Sequence, residues 1–456
     1  MALVKQGMVL VSNGKGSQEP RRLLLSHDTL QIQKEEIIYT STEHGHKAFL
    51  GERPVLLHRE KVGGLGLSVK GGAEHNLPIL ISRLFKNQAA ERTGELFVGD
   101  AITKVNNINI EHFNHDEAVL ALKNAGDEVL LTVRHFHPAS PFLNKNGNNS
   151  NQQEEKPHHH WSTVVSIPLL YAYVTKYITG TDKMRPNCYE VIAMDGTLSG
   201  TLQCEDGKSL AEWIRCITNN IAVLNNQAVL VSNKVLVPNE HIHTMCWSCE
   251  HLQSTRQWQH WRPKFVALKG QEFYVFDAPP VQTRDWVRCE RIYKIYETMF
   301  RILKHKELID DRQYCFVVQT AQHGGLYMSM ETREQLLHLE KAWHRANYLA
   351  VRHVGSKTFG CSWRDRICGL TLDLQAGFSL YDSETKIFMW NYKFSQLKGS
   401  SDDGKTKLRL NFFAEDKQNI ETRELECTAL QTLLLSIHAF LSAKLASVDP
   451  QFLKNF

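Results

Sequence analysis

A glycine-rich turn that runs directly into an alternating strand constrains the fold of this chain more than any other feature. In VGGLGLSVKGG, the glycines precede a strand from Leu67 to Lys70 in which apolar and polar residues alternate. Glycine has no Cβ, so several backbone N–H groups can converge in such a turn and bind an anion. The turn therefore predicts a carboxylate site beside a strand.

A short helix is predicted further along, in FNHDEAVLALKNAG. Asn114 and Glu117 are placed to cap its start, and His115 lies in its first turn. Val119 and Leu122 lie on the helix face reached from His115. One imidazole and two apolar side chains are therefore expected to line a single groove.

This segment, residues 53–136, closely resembles a PDZ domain, which is a small β-sandwich or barrel with two helices. The resemblance implies a groove that captures the free carboxy-terminus of another protein by adding it as an extra strand. The amides of the turn would bind the carboxylate, and His115 would accept a hydrogen bond from a Ser or Thr two residues upstream, the class I preference. The implied peptide-binding residues are Arg59, Gly64, Leu65, Gly66, Leu67, Ser68, Val69, His115, Val119 and Leu122.

Two points qualify the resemblance to a PDZ domain. Asn106-Asn107 stands where these domains usually have Asn-Gly, but asparagine also tolerates a left-handed conformation. The alternative interpretation is a buried β/α module with a chance glycine loop and a solvated His115, since short motifs also match by chance.

The rest of the chain predicts three further strand-and-helix units. At 456 residues the chain is too long for one hydrophobic core. In each unit, strands precede an amphipathic helix that begins with an N-cap residue and a Glu or Gln three positions later. These capping pairs are Ser209 with Glu212, Thr332 with Gln335, and Thr428 with Gln431.

A strand barrel closed by a C-terminal helix resembles pleckstrin-homology (PH) and phosphotyrosine-binding domains. Trp213 and Trp343 resemble the tryptophan that those helices usually carry, although any amphipathic helix can bury a tryptophan. The fold class is therefore multidomain and mainly β with α. The expected division is 1–50 and 161–225 as halves of a split PH domain, 53–136 as the PDZ domain, 137–160 as a polar linker, 240–350 as a second PH domain, and 351–456 as a C-terminal PH-like region.

That arrangement, together with GLSVKGGAEHN and WNYKFSQLKGSSDDGKTKLRL, is similar to the syntrophins and most resembles their gamma branch. The resemblance implies a non-catalytic adaptor of the dystrophin complex at the membrane cytoskeleton. The PDZ domain would recruit channels or signalling proteins through their C-terminal tails. The second PH domain and the C-terminal region would bind dystrophin, utrophin or dystrobrevin.

Cofactor and metal sites receive little support from the sequence. Val69 replaces a glycine needed for G-x-G-x-x-G, and Leu202 replaces one needed for a P-loop. Zinc ligation remains a minor alternative for the group His241, His243, Cys246 and Cys249, whose spacing is wrong for a standard finger. We therefore expect no enzyme, no cofactor and no metal.

The alternative function is a phosphoinositide-responsive membrane-binding module in which the PDZ domain is secondary. Lys15, Arg21 and Arg22 flank the first strand loop, where many PH domains bind phosphate. Adjacent arginines would point to opposite faces of a strand, so weak or absent lipid affinity is expected.

Composition and charge are consistent with a cytoplasmic protein peripheral to the membrane. The formal net charge of +4 is small for this length and does not favour nucleic acid. The start lacks a signal-peptide pattern, and no run is expected to span a bilayer. Ten cysteines, all from Cys188 onwards, predict reduced thiols rather than a disulfide framework.

Overall fold

The computed structural model describes residues 3–12, 18–40, 47–48, 52–60, 64–75, 77–136, 157–177, 186–252 and 260–449. The chain divides into two compact bodies, one made of residues 33–163 and the other of residues 1–32 with 164–456. The architecture is mainly β with few helices, as the alternating runs predict. The described short 3-10 helices are Ala73–His75, Pro238–Glu240, Thr283–Arg288, Ile295–Glu297, His305–Glu307 and Phe394–Gln396.

The first four strands come from the start of the chain: β1 Leu3–Ser12, β2 Glu19–Ser26, β3 Thr29–Thr40 and β4 Lys47–Ala48. They cannot close a core alone, and their sheet is completed by strands that follow residue 156.

The PDZ-like segment contains β5 Arg53–His58, β6 Leu67–Gly72, β7 Leu77–Leu84, helix α1 Ala89–Arg92, β8 Asp100–Val105, β9 Ile108–Asn109, helix α2 His115–Asn124 and β10 Glu128–His135. The strand order is β5-β10-β8-β7-β6, with β9 paired to β8. Strand β6 is therefore an edge strand, which leaves one side of its backbone open for pairing.

The second half of the first sheet consists of β11 Pro157–Pro168, β12 Tyr173–Lys176, β13 Cys188–Ile192 and β14 Thr201–Gln203. The sheet order is β11-β3-β2-β1-β14-β13-β12. Strand β1 pairs with β2 on one side and with β14 on the other, through Leu10 opposite Gln203 and Ser12 opposite Thr201. The two flanks of the PDZ-like segment thus form one sheet.

Helix α3, Gly207–Asn233, closes this sheet, and the sheet and helix together form the first strand-and-helix unit. Two predicted details of this helix are wrong. Its N-cap is Asp206, whose side chain accepts a hydrogen bond from the Ser209 amide at 2.7 Å, whereas Glu212 forms an ion pair with Lys5. The helix also runs beyond the predicted domain end at residue 225. Trp213 is buried in the core, as expected.

The boundary of the polar linker also needs correction. Strand β11 begins at Pro157, so the linker predicted to reach residue 160 ends earlier. The remaining linker positions, 137–156, lie outside the described residues.

The second strand-and-helix unit contains β15 Ile242–Leu252, β16 His260–Lys269, β17 Glu272–Phe276, β18 Arg291–Lys294, β19 Thr298–Ile302, β20 Tyr314–Thr320, β21 Gly324–Met330 and helix α4 Arg333–Val354. Its sheet order is β18-β17-β16-β15-β21-β20-β19. The predicted capping box is confirmed, because Thr332 and Gln335 bond to each other's backbone amides. Trp343 is buried against the aromatic rings of Phe273 and Phe300.

The third unit contains β22 Ser356–Trp363, β23 Arg366–Asp373, β24 Gly377–Asp382, β25 Phe388–Tyr392, β26 Leu397–Asp402, β27 Lys407–Ala414, β28 Asn419–Glu426 and helix α5 Leu430–Val448. Its sheet order, β25-β24-β23-β22-β28-β27-β26, repeats that of the second unit. The predicted Thr428 and Gln431 capping box is wrong, because the N-cap is Ala429 and its side chain makes no cap.

Helix α5 of the third unit also packs against the second unit. The side-chain amide of Asn347 on α4 donates through Nδ2 to the Ala439 carbonyl on α5 at 3.0 Å. Tyr296, Ala350 and Val351 of the second unit belong to the same buried cluster as the third sheet. The boundary predicted between residues 350 and 351 therefore cuts through a shared core.

The apolar character of α5 corrects the expectation that no run is long enough to span a bilayer. Leu430–Val448 is sufficiently long and apolar by length and composition alone. However, Leu430, Leu433 and Phe440 are buried in the core of the third unit. We therefore assign α5 as a core helix.

Candidate functional site

The glycine turn ahead of β6 adopts backbone conformations that favour glycine. Gly64 and Gly66 have φ values of 67° and 73°. A Cβ on Gly66 would lie 2.6 Å from Cβ of Gln88, whereas one on Gly64 would meet nothing within 4 Å. Gly66 is therefore required both by its conformation and by the close approach of Gln88.

The hydrogen bonds of this turn use its carbonyl groups and leave amides available. The Gly66 and Leu65 carbonyls accept from the amides of Phe85 at 2.9 Å and Ala90 at 3.0 Å. Among the described residues, neither the Leu65 nor the Gly66 amide donates to a backbone carbonyl. Because the Gly66 carbonyl bonds to the Phe85 amide just after β7, the N–H and C=O of Leu67 face the open edge of β6 by alternation. Three successive amides are thus arranged at one end of an unpaired strand edge.

Helix α2 lies beside β6 and places His115 at the opposite end of the same groove. Asn114 and Glu117 form the predicted capping box. The backbone amide of His115 also donates to the carboxylate of Glu74, at 2.9 Å to Oε1. That bond is the main reason why the pKa of Glu74 is lowered. Glu74 was not identified from the sequence, because nothing in GGAEHN indicates a contact with a helix about 40 residues away.

A second glycine permits this close approach of α2. A Cβ on Gly72 would lie 2.3 Å from the Glu74 carboxylate and 2.6 Å from the His115 amide nitrogen. Any larger residue at this position would push the start of α2 away from β6.

The imidazole of His115 is oriented by the backbone of β6. Its Nδ1 lies 3.1 Å from the Gly71 carbonyl oxygen. A carbonyl oxygen can only accept, so Nδ1 carries the proton in this bond and Nε2 has a free lone pair in the neutral ring. His115 therefore presents a hydrogen-bond acceptor to the groove.

Apolar side chains lie between the amide turn and His115. Leu122 of α2 is 6% exposed and belongs to the core of this segment. Leu67 and Val69 of β6 are half-buried and pack against the same core. Val119, one turn before Leu122, is also half-buried. Together they form an apolar lining suited to a hydrophobic side chain.

Arg59 and Ser68, both predicted to bind peptide, form hydrogen bonds within the PDZ domain itself. Arg59 donates through Nε to the Gly126 carbonyl at 2.8 Å and through Nη2 to the Leu122 carbonyl at 2.6 Å. The guanidinium thus engages the carbonyls at the C-terminal end of α2, a favourable place for a cation. The carbonyl of Ser68 accepts from the hydroxyl of Ser82.

The residues considered for lipid binding are not assembled into a cationic pocket in the described part of the chain. The guanidinium of Arg21 forms an ion pair with Glu19 and donates to the Pro20 carbonyl. Arg22 follows it on β2. Lys15 lies outside the described residues.

The residues considered for zinc lie on or next to β15. His241 Nε2 is 3.1 Å from the Leu236 carbonyl oxygen, and Cys249 Sγ is 2.7 Å from the Tyr173 hydroxyl. Burial raises the pKa of Cys246 to about 12. Over the ranges that the structure covers, no three His, Cys, Asp or Glu side chains are grouped to hold a metal. All ten cysteines fall within those ranges and are free thiols.

The fold and the groove define a class of protein. An edge strand, a glycine turn with available amides and a helix beginning with histidine form a PDZ peptide groove, and the chain also carries PH-type domains. A family profile described as "PDZ domain" matches residues 54–134, and one described as "Syntrophin C-terminal PH domain" matches residues 352–449. The chain therefore has the domain composition of a scaffold or adaptor protein.

The relatives identify the particular family. The chain is 39% identical to human gamma-2-syntrophin, covering 95% of this chain and 90% of the relative. It is 38% identical to human gamma-1-syntrophin, covering 99% and 94% respectively. Syntrophin-1 of Caenorhabditis elegans is 27% identical over 92% of this chain and 94% of the relative. The chain belongs to the syntrophin family, and no catalytic family is indicated.

Proposed function

We propose that this chain is a scaffold whose PDZ groove binds C-terminal tails ending in Ser/Thr-x-hydrophobic. The proposal depends on two features at opposite ends of the open edge of β6. The amides of Leu65 to Leu67 are available at one end, and Nε2 of His115 can accept a hydrogen bond at the other. A carboxylate is the ligand that converging amides favour. A hydroxyl is the partner that the His115 acceptor favours.

Each part of the bound tail has a matching feature in the groove. The terminal carboxylate accepts bonds from the turn amides, and the last side chain enters the lining formed by Leu67 and Leu122. The remaining residues extend the sheet beside β6, which supplies most of the affinity through backbone bonds. Arg59 positions the end of α2 through its bonds to the Leu122 and Gly126 carbonyls.

The wider role we propose is to connect the bound tails, which belong to channels or signalling proteins, to the dystrophin-associated complex. Dystrophin, utrophin or dystrobrevin would bind the second PH domain and the C-terminal unit. The shared core of these two units supports treating them as one attachment module. The location we infer is cytoplasmic, peripheral to the plasma membrane and its cytoskeleton.

The carboxylate mechanism is tested with the full chain and a fluorescent peptide ending in Ser-x-Val. We expect saturable binding by anisotropy and loss of binding when the peptide terminus is amidated. Equal affinity for the amidated peptide would refute capture of a free chain end.

The role of His115 is tested by His115→Ala with two peptides that differ only in Ser or Ala two residues before the terminus. Loss of one hydrogen bond of about 1 kcal/mol should weaken the Ser peptide about fivefold and leave the Ala peptide nearly unchanged. His112→Ala is a matched control, because His112 is an exposed histidine just before the helix cap. If both peptides weakened equally, His115 would have a structural role only.

The alternative, a phosphoinositide-responsive module, receives less support because Arg21 is engaged with Glu19. Sedimentation with vesicles that contain or lack phosphoinositide separates the two functions. Strong phosphoinositide-dependent sedimentation, with no binding of free C-terminal peptides, would favour the alternative.

A further inference from the structure

A cavity of about 480 Å³ lies between the first and second strand-and-helix units, and none of its lining residues belongs to the PDZ-like segment. It is bounded by β12, α3, the start of β15, the end of β21 and the start of α4. Its volume falls within the usual size of small-molecule sites. Its buried apolar lining includes Ala172, Val174, Ile221, Met245 and Met330.

Strand β12 lines this cavity, and the backbone N–H and C=O of one of its residues, Val174, are not used in strand pairing. Val174 lies opposite Val191 on β13. The amide and carbonyl of Val191 instead bond to Ser199, whose hydroxyl accepts at 2.9 Å and whose amide donates at 3.0 Å. Val174 and Val191 are therefore a non-hydrogen-bonded pair, and the N–H and C=O of Val174 face outward from the sheet edge. Within the described ranges, neither group has a hydrogen-bond partner.

The next open position along β12 is already occupied. The amide of Lys176 donates to the carboxylate of Glu331 at 3.4 Å, and the Lys176 ammonium donates to the Glu331 carbonyl. A peptide strand needs several consecutive positions for pairing, so the Lys176 and Glu331 contacts stop an added strand after one residue. The cavity is thus suited to a molecule with a single residue-like N–H and C=O pair.

The electrostatics of the cavity favour an uncharged ligand. Glu331 is paired with Arg312 at 3.1 Å, and both side chains are at most 10% exposed. The other formally charged lining residues, Arg215 and Glu334, are exposed and have opposite signs. A charge placed in the apolar interior would lose hydration without gaining a free counter-ion.

We propose that this cavity binds a small, uncharged molecule resembling a capped apolar amino acid, whose N–H and C=O pair with the C=O and N–H of Val174. Its apolar side group lies against Ile221, Met245 and Met330. The site is formed by two separate strand-and-helix units, so a bound molecule stabilises their contact.

The probe for this proposal is N-acetyl-4-fluorophenylalanine amide, followed by ¹⁹F NMR with the full chain. It has no carboxylate, so the PDZ turn provides no competing site for it. We expect a saturable shift with millimolar affinity, as is usual for a ligand of this size. The Nα-methyl analogue, which lacks the N–H, should bind about fivefold more weakly.

Matched variants on α3 locate the binding. Ala222 lines the cavity, whereas Gln227 is exposed on the same helix and does not. Ala222→Trp should abolish the shift, and Gln227→Trp should preserve it.

A second measurement does not depend on the folding of a variant. Cys216 lines the cavity and is half-exposed, and Cys289, also half-exposed, lies outside it. The probe should slow alkylation of Cys216 by N-ethylmaleimide and leave Cys289 unaffected. Absence of a saturable shift, equal binding by the Nα-methyl analogue, or unchanged alkylation of Cys216 would overturn the proposal.

Discussion

Replacing Gly66 by alanine tests whether the geometry of the amide turn determines ligand binding. Gly66 and Gly64 both have positive φ, so alanine at either position adopts a left-handed conformation. They differ in their surroundings, because a Cβ on Gly66 lies 2.6 Å from Gln88 Cβ and 3.2 Å from the Ala89 nitrogen, while Gly64 faces open space. Gly64→Ala is therefore a matched control for the backbone strain alone.

The expected magnitudes follow from these two contributions. The left-handed conformation costs alanine about 1–2 kcal/mol at both positions. The clash at Gly66 adds about 1–3 kcal/mol, the usual range for overpacking against a fixed neighbour. The free turn relieves this clash by moving away from Gln88, and peptide binding must then restore the original amide positions. The dissociation constant of Gly66→Ala should therefore exceed that of Gly64→Ala by a factor of about 5–150.

The assay is fluorescence anisotropy with the full chain and a peptide ending in Ser-x-Val. Hydrogen exchange of the β7 and β8 amides serves as a check that the rest of the PDZ domain stays folded in both variants. Dissociation constants within twofold of each other would refute the argument that Gln88 fixes the turn through Gly66.

Two further predictions concern the PH-type units. Burial, with the charge of His438 as a smaller cause, lowers the pKa of His344 from 6.5 to about 4. The stability that depends on neutral His344 is complete above pH 6.5 and is lost as pH falls toward 4, by about 1–2 kcal/mol at pH 5. Thermal unfolding at pH 7 and pH 5 should show this loss, and His344→Gln should reduce it; an equal loss in the variant would contradict the assignment. Separately, a protease site inserted between residues 141 and 150 should leave the two fragments associated in gel filtration, because β1 pairs with β14 across the cut. Trp213→Ala, which removes about 3–5 kcal/mol from that core, should release them, whereas Trp343→Ala in the second core should not. Fragments that separate without any substitution would argue against a split domain.

Local patterns in the sequence were sufficient for several features. The capping boxes at Asn114 and Thr332 depend on residues three positions apart, and the structure confirms both. Local patterns failed where another partner competed. Asp206 caps α3 in place of Ser209, and Glu212 of α3 forms an ion pair with Lys5 of β1.

The groove illustrates the same limit within one site. The glycine turn, the edge strand and His115 were recognisable because each is encoded within a few consecutive residues. The bond of Arg59 to the end of α2 and the bond of Glu74 to the start of α2 join residues that are far apart in sequence. Such contacts depend on how α2 is placed against β6, which no short pattern reports.

The sequence alone determined the kinds of units in this protein, since alternation, glycine placement and helix capping act over a few residues. Tertiary structure decided where those units end and what lies between them. Helix α5 packs on α4 as well as on its own sheet, and the cavity beside Val174 exists only because two units meet there. Burial and the pairing of open strand edges are properties of the assembled chain, because they depend on which distant surfaces come into contact.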